Sequence, residues 1–309
     1  MTLDDSRAAE PGPSDDARQP ARRLDEALPD IDWTIPPTGA ERGWVDAPSG
    51  RLATLSMGAA DAPLVLLVPG VTGSKEDFAL MLPLLAEAGY RAVSYDMAGQ
   101  YESAGAGPEN LTPPRRRYDH DLFVDDLIFL LDAAPGPAHV LGYSFAGTVA
   151  QMAYARGPER FASLTLLSCP PEPGQGFRGV KRIGPISHFT TGRIGAALMI
   201  WGVRRNFTQV PPGRLAFVRH RFAFTRRSAV ADIISLMKRS PDLRPLLASS
   251  SIPKLVAIGE HDLWPLALHA DFAAAIGAEL ATYPTGHSPC ETAPHELTLD
   301  LLALYERAR

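Results

Sequence analysis

Ser144, Asp262 and His287 are the residues of this chain whose types and order fit acyl transfer. A serine hydroxyl is a weak nucleophile at neutral pH, so it needs a base within hydrogen-bond reach and a third group to hold that base. Ser144 lies in Val-Leu-Gly-Tyr-Ser-Phe-Ala-Gly, from Val140 to Gly147. An apolar run ends at Gly142 and a helical pattern starts just after the serine, which predicts a strand turning straight into a helix. Such a turn strains its central residue and needs small neighbours two positions either side, here Gly142 and Ala146. It also leaves the Phe145 N–H free at the first helical turn, where a developing oxyanion could bind. Asp262, in Gly-Glu-His-Asp-Leu-Trp-Pro, and His287, in Tyr-Pro-Thr-Gly-His-Ser-Pro, each follow an apolar run that reads as a strand.

Each residue also has a plainer reading. Ser144 could cap a helix, Asp262 could be the N-cap before Leu-Trp-Pro, and His287 could be a turn residue. Their occurrence together in the order Ser, Asp, His favours the catalytic reading. Glu172, Glu260 and His261 compete for the acid and base roles, with Glu172 displaced from its strand end by Pro170-Pro171. His139, inside the strand before Ser144, reads as a core residue, and Cys290 as packing. The eight histidines show no ligand spacing for a metal, and no phosphate-binding or dinucleotide fingerprint appears, so no cofactor is expected.

The elements that must position these residues follow from periodicity. Strands are predicted at Trp44–Ala47, Arg51–Met57, Pro63–Pro69, Tyr90–Tyr95, Ala138–Leu141, Ser163–Ser168, Lys254–Gly259 and Glu279–Tyr283, with helical patterns between most of them. Pro63–Pro69 is apolar throughout, as suits a strand buried on both faces. Alternating strands and helices imply right-handed crossovers and a mainly parallel sheet, which brings the loops carrying Ser144, Asp262 and His287 to one edge. Residues 1–40 lack an apolar pattern and read as a disordered leader. From Pro170 to Leu247 the alternation stops, leaving helical segments around Arg193–Phe207, Leu215–Phe224 and Ala229–Arg239.

Length and charge set outer limits. A chain of 309 residues with 45% hydrophobic content can bury a full core. Two cysteines, Cys169 and Cys290, do not suggest a disulfide framework. The longest apolar run, Ile194–Val203, is too short to span a bilayer, and no signal peptide is recognisable. The expected location is cytoplasmic, with no integral membrane association and, at net charge −5, no nucleic-acid partner.

On these motifs the chain from Gly43 to Ala308 resembles the α/β-hydrolase fold proteins, most of all bacterial esterase-like serine hydrolases. The resemblance implies an α/β fold with a mainly parallel eight-stranded sheet, a core over residues 41–170 and 248–309, and a helical cap over 171–247. It implies Ser144 as nucleophile, His287 as general base and acid, and Asp262 as the residue orienting the imidazole. Pro69-Gly70-Val71 stands where the family has a His-Gly pair, implying the Val71 N–H as second oxyanion donor beside Phe145. Two departures are Pro69 in place of the histidine and Ala146 in place of the second glycine of the turn; both donors are backbone amides and survive them. Asp96, in the loop after the fourth strand, is expected to fix that loop. Trp201 in the cap and Trp264 beside Asp262 are the candidate substrate-binding side chains.

The implied activity is hydrolysis of a carboxylic ester or related acyl compound through an acyl-enzyme. A thioesterase or a carbon–carbon bond hydrolase with the same triad, and a slow-turnover ligand-binding receptor, are alternatives. Dehalogenase and epoxide hydrolase chemistry is disfavoured, because those relatives carry a carboxylate at the position of Ser144. The cap is rich in arginine, including Arg193, Arg204, Arg205, Arg214 and Arg221, against few acids. Either these arginines pair with the acidic body and solvate its outer face, or they recruit an anionic acyl donor such as an acyl carrier or coenzyme A thioester, or dock on an acidic membrane surface.

Overall fold

The centre of the molecule is an eight-stranded sheet in the order β1-β2-β4-β3-β5-β6-β7-β8. The computed structural model describes residues 13–178, 180 and 210–308. The strands are β1 (Glu41–Ala47), β2 (Gly50–Met57), β3 (Leu64–Val68), β4 (Arg91–Tyr95), β5 (Ala138–Tyr143), β6 (Phe161–Leu167), β7 (Lys254–Gly259) and β8 (Glu279–Tyr283). β2 runs antiparallel to both β1 and β4, and every other pairing is parallel. The expected mainly parallel architecture is therefore found. β5 and β7 are buried at every position, because helices cover both faces of the sheet.

Among the described residues the helices are α1 (Asp15–Glu26), α2 (Met81–Glu87), α3 (His120–Asp132), α4 (Phe145–Arg156), α5 (Pro212–Phe224), α6 (Arg227–Met237), α7 (Arg244–Ala248), α8 (Leu266–Ile276), α9 (Pro289–Thr292) and α10 (Pro294–Glu306). One apolar cluster joins α3, α4 and α8 to one sheet face, and a second joins α2 and α10 to the other. Each fully buried Leu or Val in these layers contributes about 1.5–3 kcal/mol. The helices α5 and α6 lie within the stretch read as a cap, and α7 straddles its C-terminal boundary at residue 247. The predicted helix Arg193–Phe207, with Arg204 and Arg205, lies outside the described residues.

The described part of the N-terminal stretch, residues 13–40, differs from the expected disordered leader. Within residues 1–40, α1 is a helix docked on α10. Arg18 makes two bonds to Asp300, at 2.5 and 2.9 Å, and Arg22 pairs with Glu296 at 2.9 Å. The Asp25 carboxylate accepts from the His295 and Glu296 N–H groups at 2.9 and 3.0 Å, capping the start of α10. A cap of this kind is worth about 1 kcal/mol. Charge pairing to buried acids has replaced the apolar stripe that a local reading of the sequence looks for.

One buried acid gives the fold a specific pH response. Asp126 on α3 accepts from Ser49 N–H at 3.0 Å and the Ser49 hydroxyl at 2.6 Å. Burial outweighs these bonds and pushes its carboxyl up to about 7. An acid raised above its unfolded value, near 4, holds its proton more tightly when folded, so its contribution is lost as pH rises through the folded value. Between about pH 4 and pH 8 the wild type should lose stability relative to Asp126→Asn by a few kcal/mol, on the order set by that shift. Denaturant unfolding of both proteins at the two pH values measures this; parallel pH dependence would contradict it.

Candidate active site

β5 ends at Tyr143 and α4 begins at Phe145, leaving Ser144 alone to make the turn at φ 54°, ψ −120°. That conformation is strained for a side-chain-bearing residue and holds only because its surroundings fix it. The Ser144 N–H donates to Leu167 O at 2.8 Å, and Ser144 O accepts from Gly147 N–H at 3.0 Å. The turn is also tight: a Cβ on Gly142 would lie 2.5 Å from Ala146 O, and one on Gly147 would lie 2.6 Å from Cys169 Sγ. Gly147 is thus the glycine the turn packing requires, one position beyond Ala146.

The loops after β7 and β8 bring two further groups to the serine. His287 Nε2 stands 3.3 Å from Ser144 Oγ, and its Nδ1 stands 2.9 Å from Asp262 Oδ1. The Asp262 side chain is 0% exposed and that of His287 23%. Burial pushes the Asp262 carboxyl up, but its bond to the imidazole and the attraction of that ring win, and the group is held below its ordinary value. Leu263 N–H also donates to Asp262 Oδ1. The imidazole is flanked by Tyr143, at 5.3 Å between ring centroids, and by Trp264, at 5.8 Å. Trp264 is fixed in turn by donating its indole N–H to Gly176 O at 2.8 Å.

The loop after β3 closes the other side. A Cβ on Gly70 would come within 3.0 Å of Ser144 Cβ, so this loop packs directly on the turn. Its path is held by Gln100, whose carboxamide oxygen accepts from Thr72 N–H at 2.5 Å. Asp96 acts in the same region: it accepts from Lys75 N–H at 2.8 Å and Glu102 N–H at 3.1 Å, and pairs with Lys75 Nζ at 3.2 Å. It therefore ties the loop after β4 to the loop after β3, where the sequence points only to a role within its own loop. Val71 follows Gly70 in this loop and Phe145 follows Ser144, and among the described residues no turn or loop bond uses either amide.

Ser144 and His287 open into a cavity of about 280 Å³ whose apolar lining includes Val71, Phe177, Val218, Phe222, Leu263 and Trp264. One wall carries charge. Arg214 pairs with Asp77 at 2.6 Å and with Glu291, and Arg221 also pairs with Asp77. Burial raises the Asp77 carboxyl, yet the two guanidinium groups outweigh it and hold the group low; on Glu291 burial wins and the carboxyl is pushed up. These two arginines read in the sequence as part of a basic cap; they are buried and paired with acids of the body. Arg226 likewise pairs with Glu109, and Arg178 with Glu172 at 3.6 Å.

Glu172 faces Arg178, and it is Asp262 that meets the imidazole. Glu260 and His261 are exposed. His139 is buried, bonded to Ser163 Oγ at 2.9 Å and stacked 3.9 Å from Tyr305. Cys290 is buried in the apolar layer, and burial raises its thiol well above the ordinary value. Trp201 lies outside the described residues. Sequence reasoning missed Asp77 and Glu291 as pocket residues; a buried acid whose arginine partner is distant in the chain leaves no local signal. Among the described residues, no group of three or more His, Cys, Asp or Glu could hold a metal ion, and no helix is long and apolar enough to cross a membrane.

Comparison with known proteins places this geometry in context. A Mycobacterium tuberculosis protein named "Probable oxidoreductase EphD" is 34% identical over 142 residues, which is 44% of this chain and 23% of that protein. The match thus spans less than a quarter of that relative's length. A hydrolase from Pseudomonas aeruginosa aligns with a TM-score of 0.68 at 24% identity, over 85% of this chain and 98% of its own. A thermophilic esterase from Thermogutta terrifontis aligns with a TM-score of 0.66 at 21% identity, over 87% and 99%. These structural likenesses speak to the fold. The sequence model described as the alpha/beta hydrolase family matches residues 65–301, which is most of the chain, and the protein belongs to that family.

Proposed function

We propose that the protein is a serine hydrolase that cleaves a carboxylic ester or related acyl compound through an acyl-enzyme. The observation that carries this reading is the continuous path from Asp262 through His287 to Ser144, with separations of 2.9 and 3.3 Å, opening into a largely apolar cavity. In the proposed reaction Ser144 Oγ attacks the acyl carbon while His287 Nε2 takes its proton. Asp262, buried and ionised, keeps Nδ1 protonated and stabilises the imidazolium. The carbonyl oxygen gains negative charge and is received by the Val71 and Phe145 amides. The tetrahedral intermediate collapses as the imidazolium hands its proton to the departing alcohol. Water then attacks the acyl-enzyme, with His287 again taking a proton and returning it to Ser144 as the acid leaves.

The neutral, apolar part of the cavity suits an uncharged acyl chain. A thioester, free or borne on coenzyme A or a carrier, would use the same residues with sulfur as leaving atom. A series of p-nitrophenyl esters of rising acyl length, run beside matched thioesters, tests the reading. Turnover that is lost after treatment with a fluorophosphonate is expected; no turnover of any ester or thioester would overturn it.

A further inference from the structure

We propose that the N-terminal segment is a clamp on the substrate pocket, with Trp33 as its positioning residue: it holds α5, and through α5 it sets affinity for the acyl group. The part concerning affinity rests on the serine hydrolase reading; the mechanical part does not.

The helix α5 forms one wall of the cavity. Leu215, Val218 and Phe222, three and four residues apart, line it together with Arg214 and Arg221. On the body side α5 is held by the pairs of those arginines with Asp77 and Glu291. Its N-terminal end has no cap of its own, since Pro211 precedes it and makes no side-chain bond. Asp30 supplies one from far away in the chain: its Oδ2 accepts from Gly213 N–H at 2.8 Å. The crossing is close enough that a Cβ on Gly213 would lie 2.5 Å from Ile31 O.

Three residues on, Trp33 covers the same helix. It is 6% exposed although it belongs to no helix or strand, and it packs with Ala79, Tyr101 and Phe217. Its ring lies 4.4 Å from the Arg214 guanidinium carbon, a contact of aromatic face and delocalised cation. Arg214 is thus gripped between the Trp33 ring and the carboxylates of Asp77 and Glu291, the latter four residues from His287. The segment can bear on α5 because its other end is fixed by the pairs of Arg18 and Arg22 with α10. A merely disordered leader would need neither a buried tryptophan nor a distant cap on a pocket helix.

The test compares the full-length wild type with Trp33→Ala, Asp30→Ala and the milder Trp33→Leu, which keeps apolar volume but loses the ring face. Hydrogen exchange of the α5 amides should quicken by about tenfold or more in the alanine variants while α3 keeps its protection. KM for a long-chain p-nitrophenyl ester should rise about fivefold or more, with kcat for the acetyl ester within about twofold, and Trp33→Phe should restore most of the loss. Wild-type exchange of α5 in a folded Trp33→Ala overturns the clamp. Faster exchange with unchanged KM also overturns it, because the segment would then be packing without effect on the pocket. If the wild type turns over no ester, the hydrolase reading fails by itself, and α5 exchange decides the mechanical part. Should Trp33→Ala not fold, Trp33→Leu and Asp30→Ala carry the same readouts.

Discussion

Ser144→Ala is expected to lower kcat for ester hydrolysis by about four to six orders of magnitude, the loss typical of removing a nucleophile that acts as a unit with its base. KM should change little, because the cavity and the two candidate oxyanion amides remain. The fold should survive as well. Alanine must adopt the same positive φ as serine, so it neither adds nor relieves backbone strain, and the Ser144 N–H bond to Leu167 O does not involve the side chain. Steady-state kinetics on a purified variant with wild-type unfolding behaviour measures this. Residual activity above about a hundredth of wild type would remove Ser144 from the proposed mechanism.

The second large effect concerns the acid. Asp262→Asn should lower kcat/KM by about four orders of magnitude at neutral pH, since a neutral amide neither stabilises the imidazolium nor enforces the Nδ1-protonated tautomer. Glu172→Gln should leave the rate within about twofold, because an exposed pair with Arg178 contributes little. The pH profiles carry a sign as well. The Asp262 carboxyl is held low, so it stays ionised across neutral and mildly acidic pH, and its contribution is lost only as pH falls through that depressed value. The order of the two variants decides the assignment: a severe loss in Glu172→Gln with a mild one in Asp262→Asn would move the acid to the loop after β6.

Most of the sheet was legible because its strands are locally coherent. The apolar runs of β3, β5 and β7 have no polar face to confuse the period, and a parallel arrangement then sends the loops after β5, β7 and β8 to one edge. That topology is why Ser144, Asp262 and His287 could be nominated together although more than a hundred residues separate the first from the others. What stayed hidden depends on distant partners. α1 reads as a polar, proline-containing stretch, and its docking comes from Asp300 and Glu296, the former 282 positions away from Arg18. For Arg214 and Arg221 the sequence allowed pairing with the acidic body without naming the acids, and nothing in it singled out Lys75; each is buried among carboxylates that other elements supply. Charge burial of this kind is decided by tertiary placement, which no window of neighbouring residues contains.

In the proposed reaction Ser144 Oγ is the atom acylated during turnover. Intact-mass measurement after reaction with a fluorophosphonate, followed by peptide mapping, addresses it directly. One adduct per chain is expected, located on Ser144, formed in step with loss of ester hydrolysis, and absent from Ser144→Ala. An adduct on another residue, or full inactivation with Ser144 unmodified, would contradict it.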